Sequence, residues 1–138
     1  MLLMRCSHCG ICCRETEMLL SEADIKRLEK VGYNREEFVR YDKKGFAKLR
    51  NNRGYCVFYN PQKERCKVYN YRPLGCRIYP VIYSEGEGTV VDDLCPMNNT
   101  VSKRELKRKS IELTRLLHKI DEEAAERRLH MKLSNNFK

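Results

Sequence analysis

The chain has 138 residues, which suits one domain, and its net charge of +9 by itself suggests an anionic partner such as nucleic acid. Hydrophobic residues make up 41% of the chain with no Trp, and 34% are charged, so we expect a modest apolar core. No run of about 18 apolar residues occurs, which argues against a transmembrane helix and a membrane partner.

The positive charge is unevenly distributed. Residues 101–138 carry 11 Lys/Arg and 6 Asp/Glu, an excess of +5, and residues 1–100 carry an excess of +4. Eight cysteine thiolates would bring the first part to −4 before any metal charge is added. The sequence therefore predicts a cysteine-cluster metal-binding domain over residues 1–100 and a basic amphipathic C-terminal helix over residues 101–138.

The N-terminal segment places four cysteines within eight residues, from Cys6 to Cys13. Only five residues precede Cys6, too few for a signal peptide, so we expect a cytoplasmic protein. Thiols stay reduced in that compartment, and clustered cysteines there bind metal more often than they form disulfides.

Two short helices are predicted after this segment. Ser21 and Asp24 have the spacing of a capping box, and the helix that they start should end at Val31, before Gly32. A second helical piece is predicted over residues 34–41.

Aromatic and β-branched runs then indicate strands. We predict one hairpin that joins residues 55–59 to 66–69 and another that joins residues 78–83 to 89–91. Hairpins suit metal-binding cysteines, because two strands bring distant thiols onto one rigid support.

The last predicted element is a long helix. Ser102 and Glu105 form a second capping box, and the helix should run from about Lys103 to about Leu133. Its apolar stripe could pack on the cysteine domain or pair with another copy of the chain. The stripe comprises Leu106, Leu113, Leu117, Ile120, Ala124 and Met131, widened by Leu116 and Leu129. The predicted fold is α+β, a small metal-centred domain with short helices, β-hairpins and a long C-terminal helix.

The cysteine spacing itself indicates metal binding. Cys6, Cys9 and Cys12 repeat the Cys-x-x-Cys step by which ferredoxins present thiolates to a [4Fe–4S] cluster. Neighbouring side chains diverge, so Cys12 and Cys13 should face different centres. The eight candidate ligands fit two zinc sites, two [4Fe–4S] clusters, or one centre with spare thiols; they are Cys6, Cys9, Cys12, Cys13, Cys56, Cys66, Cys76 and Cys95.

The motifs also resemble a known family. The Cys6-x-x-Cys9-Gly10-x-Cys12-Cys13 opening, the Cys56-x-Phe58 step, the 66–80 run and the final Cys95-Pro96 resemble the YkgJ-like CxxCxxCC cysteine-cluster family. The resemblance implies zinc or iron chelation. A related cysteine motif in flagellin lysine methylases is assigned to an iron–sulfur cluster, which by analogy favours iron–sulfur here. The chain is much smaller than those enzymes, so the methylation activity is not carried over.

The favoured hypothesis is a cytoplasmic iron–sulfur protein, with [4Fe–4S] preferred, that serves electron transfer, metal handling or an accessory role beside a protein or redox partner. Arg72 and Arg77 flank Cys76 and could donate hydrogen bonds to its thiolate or to cluster sulfur. The alternative for Arg72 is structural, because a residue before proline is pushed towards an extended turn.

The alternative hypothesis is a zinc-stabilised binding module that contacts nucleic acid or a protein through its basic helix. The candidate contacts are Lys103, Arg104, Lys107, Arg108 and Lys109. Charge runs are usually solvated faces, so nucleic acid is not favoured. No nucleotide-binding loop, His–carboxylate constellation or radical-SAM spacing occurs, so no catalytic residue is assigned and enzymatic activity is left open.

Overall fold

The computed structural model describes residue 13, residues 16–92 and residues 100–136. Short helices, antiparallel strand pairs and one long helix confirm the α+β prediction. In chain order the elements are α1 (Glu22–Val31), α2 (Arg35–Phe38), β1 (Val39–Tyr41), β2 (Ala47–Leu49), β3 (Asn51–Asn52), β4 (Tyr55–Cys56), β5 (Tyr59–Asn60), β6 (Arg65–Cys66), a 3-10 turn (Tyr69–Tyr71), α3 (Leu74–Ile78), β7 (Val81–Ser84), β8 (Gly88–Val91) and α4 (Lys103–Asn136). The strands pair consecutively as β1-β2, β3-β4, β5-β6 and β7-β8.

Helix α1 follows its predicted capping box. The Ser21 hydroxyl accepts a hydrogen bond from the Asp24 amide, and the Asp24 carboxylate accepts one from the Ser21 amide, both at 3.2 Å. Gly32 ends the helix at φ +118°, a conformation that favours glycine. Ile25 and Leu28 are fully buried, which fixes the face that α1 turns to the core.

Helix α2 is shorter than predicted. It ends at Phe38, and Val39–Tyr41 form strand β1 instead, with Val39 opposite Leu49 in the register with β2. Val39 is β-branched and 2% exposed, so pairing with a strand ten residues on outweighs the local helical pattern.

The first predicted hairpin is split into two smaller ladders. Tyr59 and Asn60 pair with Cys66 and Arg65 as expected. The Tyr55–Cys56 strand pairs instead with the preceding residues Asn51–Asn52. Strand β3 was not predicted because its two asparagines give no apolar alternation. The turn that joins it to β4 contains no proline and is formed by Arg53 and Gly54, both at positive φ.

The second hairpin and the long helix were predicted more closely. Strands β7 and β8 pair from Val81 with Val91 to Ser84 with Gly88, whereas Ile78 belongs to α3 and not to a strand. Helix α4 extends three residues beyond its predicted end and, with 34 residues, is about 51 Å long.

The buried stripe of α4 is shorter than the sequence suggested. The buried apolar positions are Leu113, Leu116, Ile120 and Ala124. Leu129 is 58% exposed because it lies on the opposite side of the helix from this stripe, and Met131, which is 41% exposed, lies beyond the last buried residue, Ala124. None of the described helices is both long enough and apolar enough to cross a bilayer.

Two apolar cores organise the described residues. The first core lies among α1, α2 and strands β1 to β4, and comprises Leu20, Ile25, Leu28, Phe38, Val39, Ala47, Leu49, Cys56, Phe58 and Val68. The second core lies where α4 packs on α3, β7 and β8, and comprises Ile78, Val81, Leu113, Leu116 and Ile120. A domain boundary near residue 100 stays a prediction, and α4 shares its core with elements that precede that boundary.

Candidate metal centre

The described cysteines gather at the first core. Cys56 is part of that core at 5% exposure, and Cys13, Cys66 and Cys76 are half-buried and pack against it. They come from the CxxCxxCC motif, β4, β6 and α3, so 63 residues of sequence separate the first from the last. The fold therefore brings four predicted ligands to one apolar region.

The segment after Cys13 is fastened beside the strand that carries Cys56. The Thr16 amide donates to Asn51 Oδ1 at 2.8 Å, and Asn51 Nδ2 donates back to the Thr16 carbonyl at 2.9 Å. Asn51 is the register partner of Cys56 in the β3-β4 ladder. This two-way amide clamp ties the end of the CxxCxxCC motif to β4.

Phe58 holds the two cysteine strands together. It is 3% exposed, and its ring lies 5.1 Å from that of Tyr33 and 5.4 Å from that of Phe38. Its carbonyl accepts a hydrogen bond from the Lys67 amide at 2.7 Å, next to Cys66. Phe58 therefore contacts the aromatic residues of the first core through its ring and the segment after β6 through its carbonyl.

A buried carboxylate positions the helix that carries Cys76. Asp24 is 1% exposed, and its Oδ1 accepts hydrogen bonds from the Leu74 amide and from Arg27 Nη2, both at 3.0 Å. The same Arg27 nitrogen donates to the Arg72 carbonyl at 2.8 Å. Sequence reasoning found only the capping role of Asp24, because its second partner lies 50 residues further on.

Arg72 and Arg77 both contact the 3-10 turn between Cys66 and Cys76. Arg72 Nε donates to the Tyr69 carbonyl at 2.9 Å, and its guanidinium carbon lies 4.0 Å from the centre of the Tyr69 ring. Arg77 Nη2 donates to the Asn70 carbonyl at 3.0 Å. Arg72 has the extended backbone expected before proline, at φ −54° and ψ 144°. Hydrogen bonds from these arginines to sulfur stay a prediction.

The other four predicted ligands, Cys6, Cys9, Cys12 and Cys95, lie outside the described residues. Within the described part of the chain, no group of three His, Cys, Asp or Glu side chains stands close enough to hold one metal ion. A four-ligand site at the first core would therefore have to combine described thiols with the remaining cysteines. An all-thiol donor set suits zinc or an iron–sulfur cluster.

A surface groove of about 400 Å³ leads to Cys56. Tyr55 and Tyr59 line it with rings 4.9 Å apart, and Arg53 and Lys67 add positive charge at its rim. The groove gives a molecule in solution an approach to the cysteine core from the side of β4.

The basic start of α4 differs from its prediction at one position. Lys103, Arg104, Lys107 and Arg108 are exposed as expected. Lys109 is 8% exposed, and its Nζ lies 3.5 Å from Glu105 Oε1. Lys109 therefore faces inward and does not belong to the exposed cationic surface.

Comparison with known proteins identifies the family. The CxxCxxCC family, described as a putative zinc- or iron-chelating domain, matches residues 5–96. The chain belongs to this family. The match spans all eight cysteines and supports a metal-binding role, and it ends before α4.

A curated relative is itself without an assigned function. The uncharacterized protein MJ0661 of Methanocaldococcus jannaschii is 29% identical over 94 residues. The aligned part covers 64% of this chain, and the chain spans about half (52%) of that relative's length. No solved structure gives a significant match.

Proposed function

We propose that the protein is a cytoplasmic iron–sulfur protein. Its cysteine thiolates would hold a [4Fe–4S] cluster, with room in the ligand count for a second centre, and serve electron transfer, metal handling or an accessory role. The observation that carries this proposal is the convergence of Cys13, Cys56, Cys66 and Cys76 on one apolar core. The family's description as zinc- or iron-chelating supports metal binding, and an iron–sulfur cluster as the bound form is our proposal.

The cysteine spacing favours a cluster over single zinc ions. The Cys6, Cys9, Cys12 repeat has the spacing with which ferredoxins hold a cluster.

The surrounding residues suit electron transfer. A bound cluster supplies one-electron chemistry whose potential depends on burial and on hydrogen bonds to sulfur. Cys56 is buried in the same apolar core as Phe58 and Val68. Arg53 and Lys67 beside Cys56 favour a redox partner with an acidic surface.

The test is chemical analysis of protein purified without oxygen. We expect a brown protein with iron and acid-labile sulfide in equal amounts and an absorption band that dithionite bleaches. Colourless protein with one or two zinc ions per chain would replace the cluster with structural zinc. Protein without metal would contradict both.

A zinc-stabilised binding module is the second candidate. The observation that favours it is the exposure of four cations, Lys103, Arg104, Lys107 and Arg108, over the first two turns of α4. Labelled single-stranded RNA should then bind with an affinity that falls as salt rises, with a slope of about −0.7 per phosphate contacted. Reversing Arg108 to Glu should weaken that binding, whereas reversing Lys132 at the far end should not. Absence of salt-sensitive binding would remove this candidate.

A further inference from the structure

The exposed side of α4 carries three large apolar residues, Ile111, Leu129 and Leu133. Ile111 is 47% exposed and Leu129 is 58% exposed, both on the side opposite the buried Leu116 and Ile120. Eighteen residues make five turns, so Ile111 and Leu129 lie on one line along the helix, about 27 Å apart. We call the line through Ile111, Arg115, His118, Glu122 and Leu129 the outer seam of α4.

A shallow, open groove of about 540 Å³ lies in this seam and is lined by Lys107, Ser110, Ile111, Thr114 and Arg115. Four of these residues, from Lys107 to Thr114, stand at positions i, i+3, i+4 and i+7, the spacing of the residues that surround an inserted side chain in helix-on-helix packing. This spacing suits the insertion of a side chain from another helix, and Leu129 is a side chain of suitable size that the same surface exposes.

Charge along the seam is arranged in two blocks of opposite sign. Lys107, Arg108 and Arg115 stand before the middle of the helix, and Glu122 and Glu126 stand after it. In the described part of the chain, neither Arg115 nor Glu126 takes part in an ion pair. A parallel copy of α4 would set like charges side by side, whereas an antiparallel copy sets each block against its opposite.

We propose that the outer seam of α4 binds a second copy of the chain in an antiparallel, two-fold symmetric pair. Leu129 of each copy inserts into the groove at Ile111 of the other. In the register that sets 111 against 129, Arg115 lies opposite residues 125 and 126, so Arg115 of one copy pairs with Glu126 of the other. Because the two-fold axis repeats every contact, the dimer holds two apolar insertions and two such ion pairs.

The same register predicts a modest affinity. Arg108 falls close to Lys132 of the second copy, so the outer ends repel while the centre attracts. We therefore expect a dimer that forms and dissociates with concentration, and that weakens as salt screens the central pairs. This surface lies outside the stretch that matches the CxxCxxCC family, so it is independent of the proposed cluster.

The test is sedimentation velocity of the full chain with its metal bound, from roughly 1 µM to 1 mM. We expect a concentration-dependent monomer–dimer equilibrium. Leu129→Glu should weaken it by about tenfold or more, because two apolar insertions are lost. Circular dichroism and metal content should stay unchanged, since Leu129 is mostly exposed.

A mixing experiment identifies the partner as a second copy. Arg115→Glu and Glu126→Arg should each weaken self-association by about tenfold, because two attractions become two repulsions. An equimolar mixture of the two variants restores both pairs and should dimerise within about threefold of the original protein. The matched control is Glu112→Arg, an exposed charge reversal about 100° around the helix, which should leave dimerisation unchanged. A chain that is monomeric throughout, or variants whose mixture stays monomeric, would overturn the proposal.

Discussion

The two cores of the molecule are built in different ways. Around the second core, strands β7 and β8 each have four residues, and a 34-residue helix covers them. Around the cysteines, strands β3 to β6 have two residues each. A two-stranded ladder that short is not stable by itself. The first core therefore depends on buried side chains and, in our account, on bound metal, whereas the second depends on ordinary helix-on-hairpin packing.

The largest expected effect comes from removing a thiol at the first core. Cys56→Ser should lower the bound metal and reduce the free energy of unfolding by at least about 3 kcal/mol, because a structural metal contributes folding energy directly. Metal analysis and urea unfolding on the same preparation check both.

Val68→Ala is the matched control for Cys56→Ser. Val68 is 2% exposed in the same core, and its truncation should cost about 2 kcal/mol while metal content is unchanged. If Val68→Ala lost as much metal as Cys56→Ser, the loss in Cys56→Ser would reflect packing and would not identify Cys56 as a ligand.

A cavity in the second core should lower stability without changing the metal content. Ile120 is 1% exposed, and Ile120→Ala should cost about 3 kcal/mol through the cavity that it leaves, with metal content unchanged. Urea unfolding and metal analysis measure the two quantities. The exposed Glu112→Ala serves as control and should change stability by less than about 0.5 kcal/mol. Loss of metal from Ile120→Ala would show that the two cores are not separable.

A substitution at Asp24 tests whether α1 positions α3, the helix that carries Cys76. Asp24→Asn leaves one acceptor oxygen in place of two and removes the charge that pairs with Arg27, so either the Leu74 amide or the Ser21 amide loses its acceptor, at a cost of about 2 kcal/mol. We also expect faster metal loss to a chelator, because the turn before Cys76 loosens. The control is Glu29→Gln in the same helix, where a surface pair with Arg35 should contribute less than about 1 kcal/mol. Equal chelation rates for Asp24→Asn and the unmodified protein would refute the positioning role.

The smallest expected effect is on how stability depends on pH in acid. Partial burial opposes ionisation of Glu22, but hydrogen bonds from Arg127 and Arg35 outweigh it and hold the pKa of Glu22 below its usual range. A lowered pKa in the folded state gives stability that is present above the unfolded value of about 4.3 and is lost as pH falls through the folded value. The stability of Glu22→Gln should therefore fall less steeply with acid, which urea unfolding at a series of pH values would measure. A slope unchanged from the original protein would contradict it.

The sequence predicted best where the signals are local. The Ser21–Asp24 capping box, the Gly32 stop and the start of α4 at Lys103 depend on residues within one turn, and the structure has all three. Strand β1 was missed because Val39 becomes extended through Leu49, ten residues away.

For the candidate site, the ligand residues could be proposed from cysteine spacing but their supports could not. The Thr16–Asn51 clamp and the Asp24–Leu74 bond each join segments 35 to 50 residues apart. Nothing in the periodicity of either segment indicates its partner, so only the fold shows these supports.

The most direct test of the difference between the cores is amide hydrogen exchange before and after the metal is removed by a chelator. We predict that removal strips protection from residues 51–66, which hold the β3-β4 and β5-β6 ladders, while amides of residues 113–124 in α4 keep most of theirs. Protection that stays unchanged in both regions, or that disappears equally from both, would contradict a metal-held first core beside an independently packed second core.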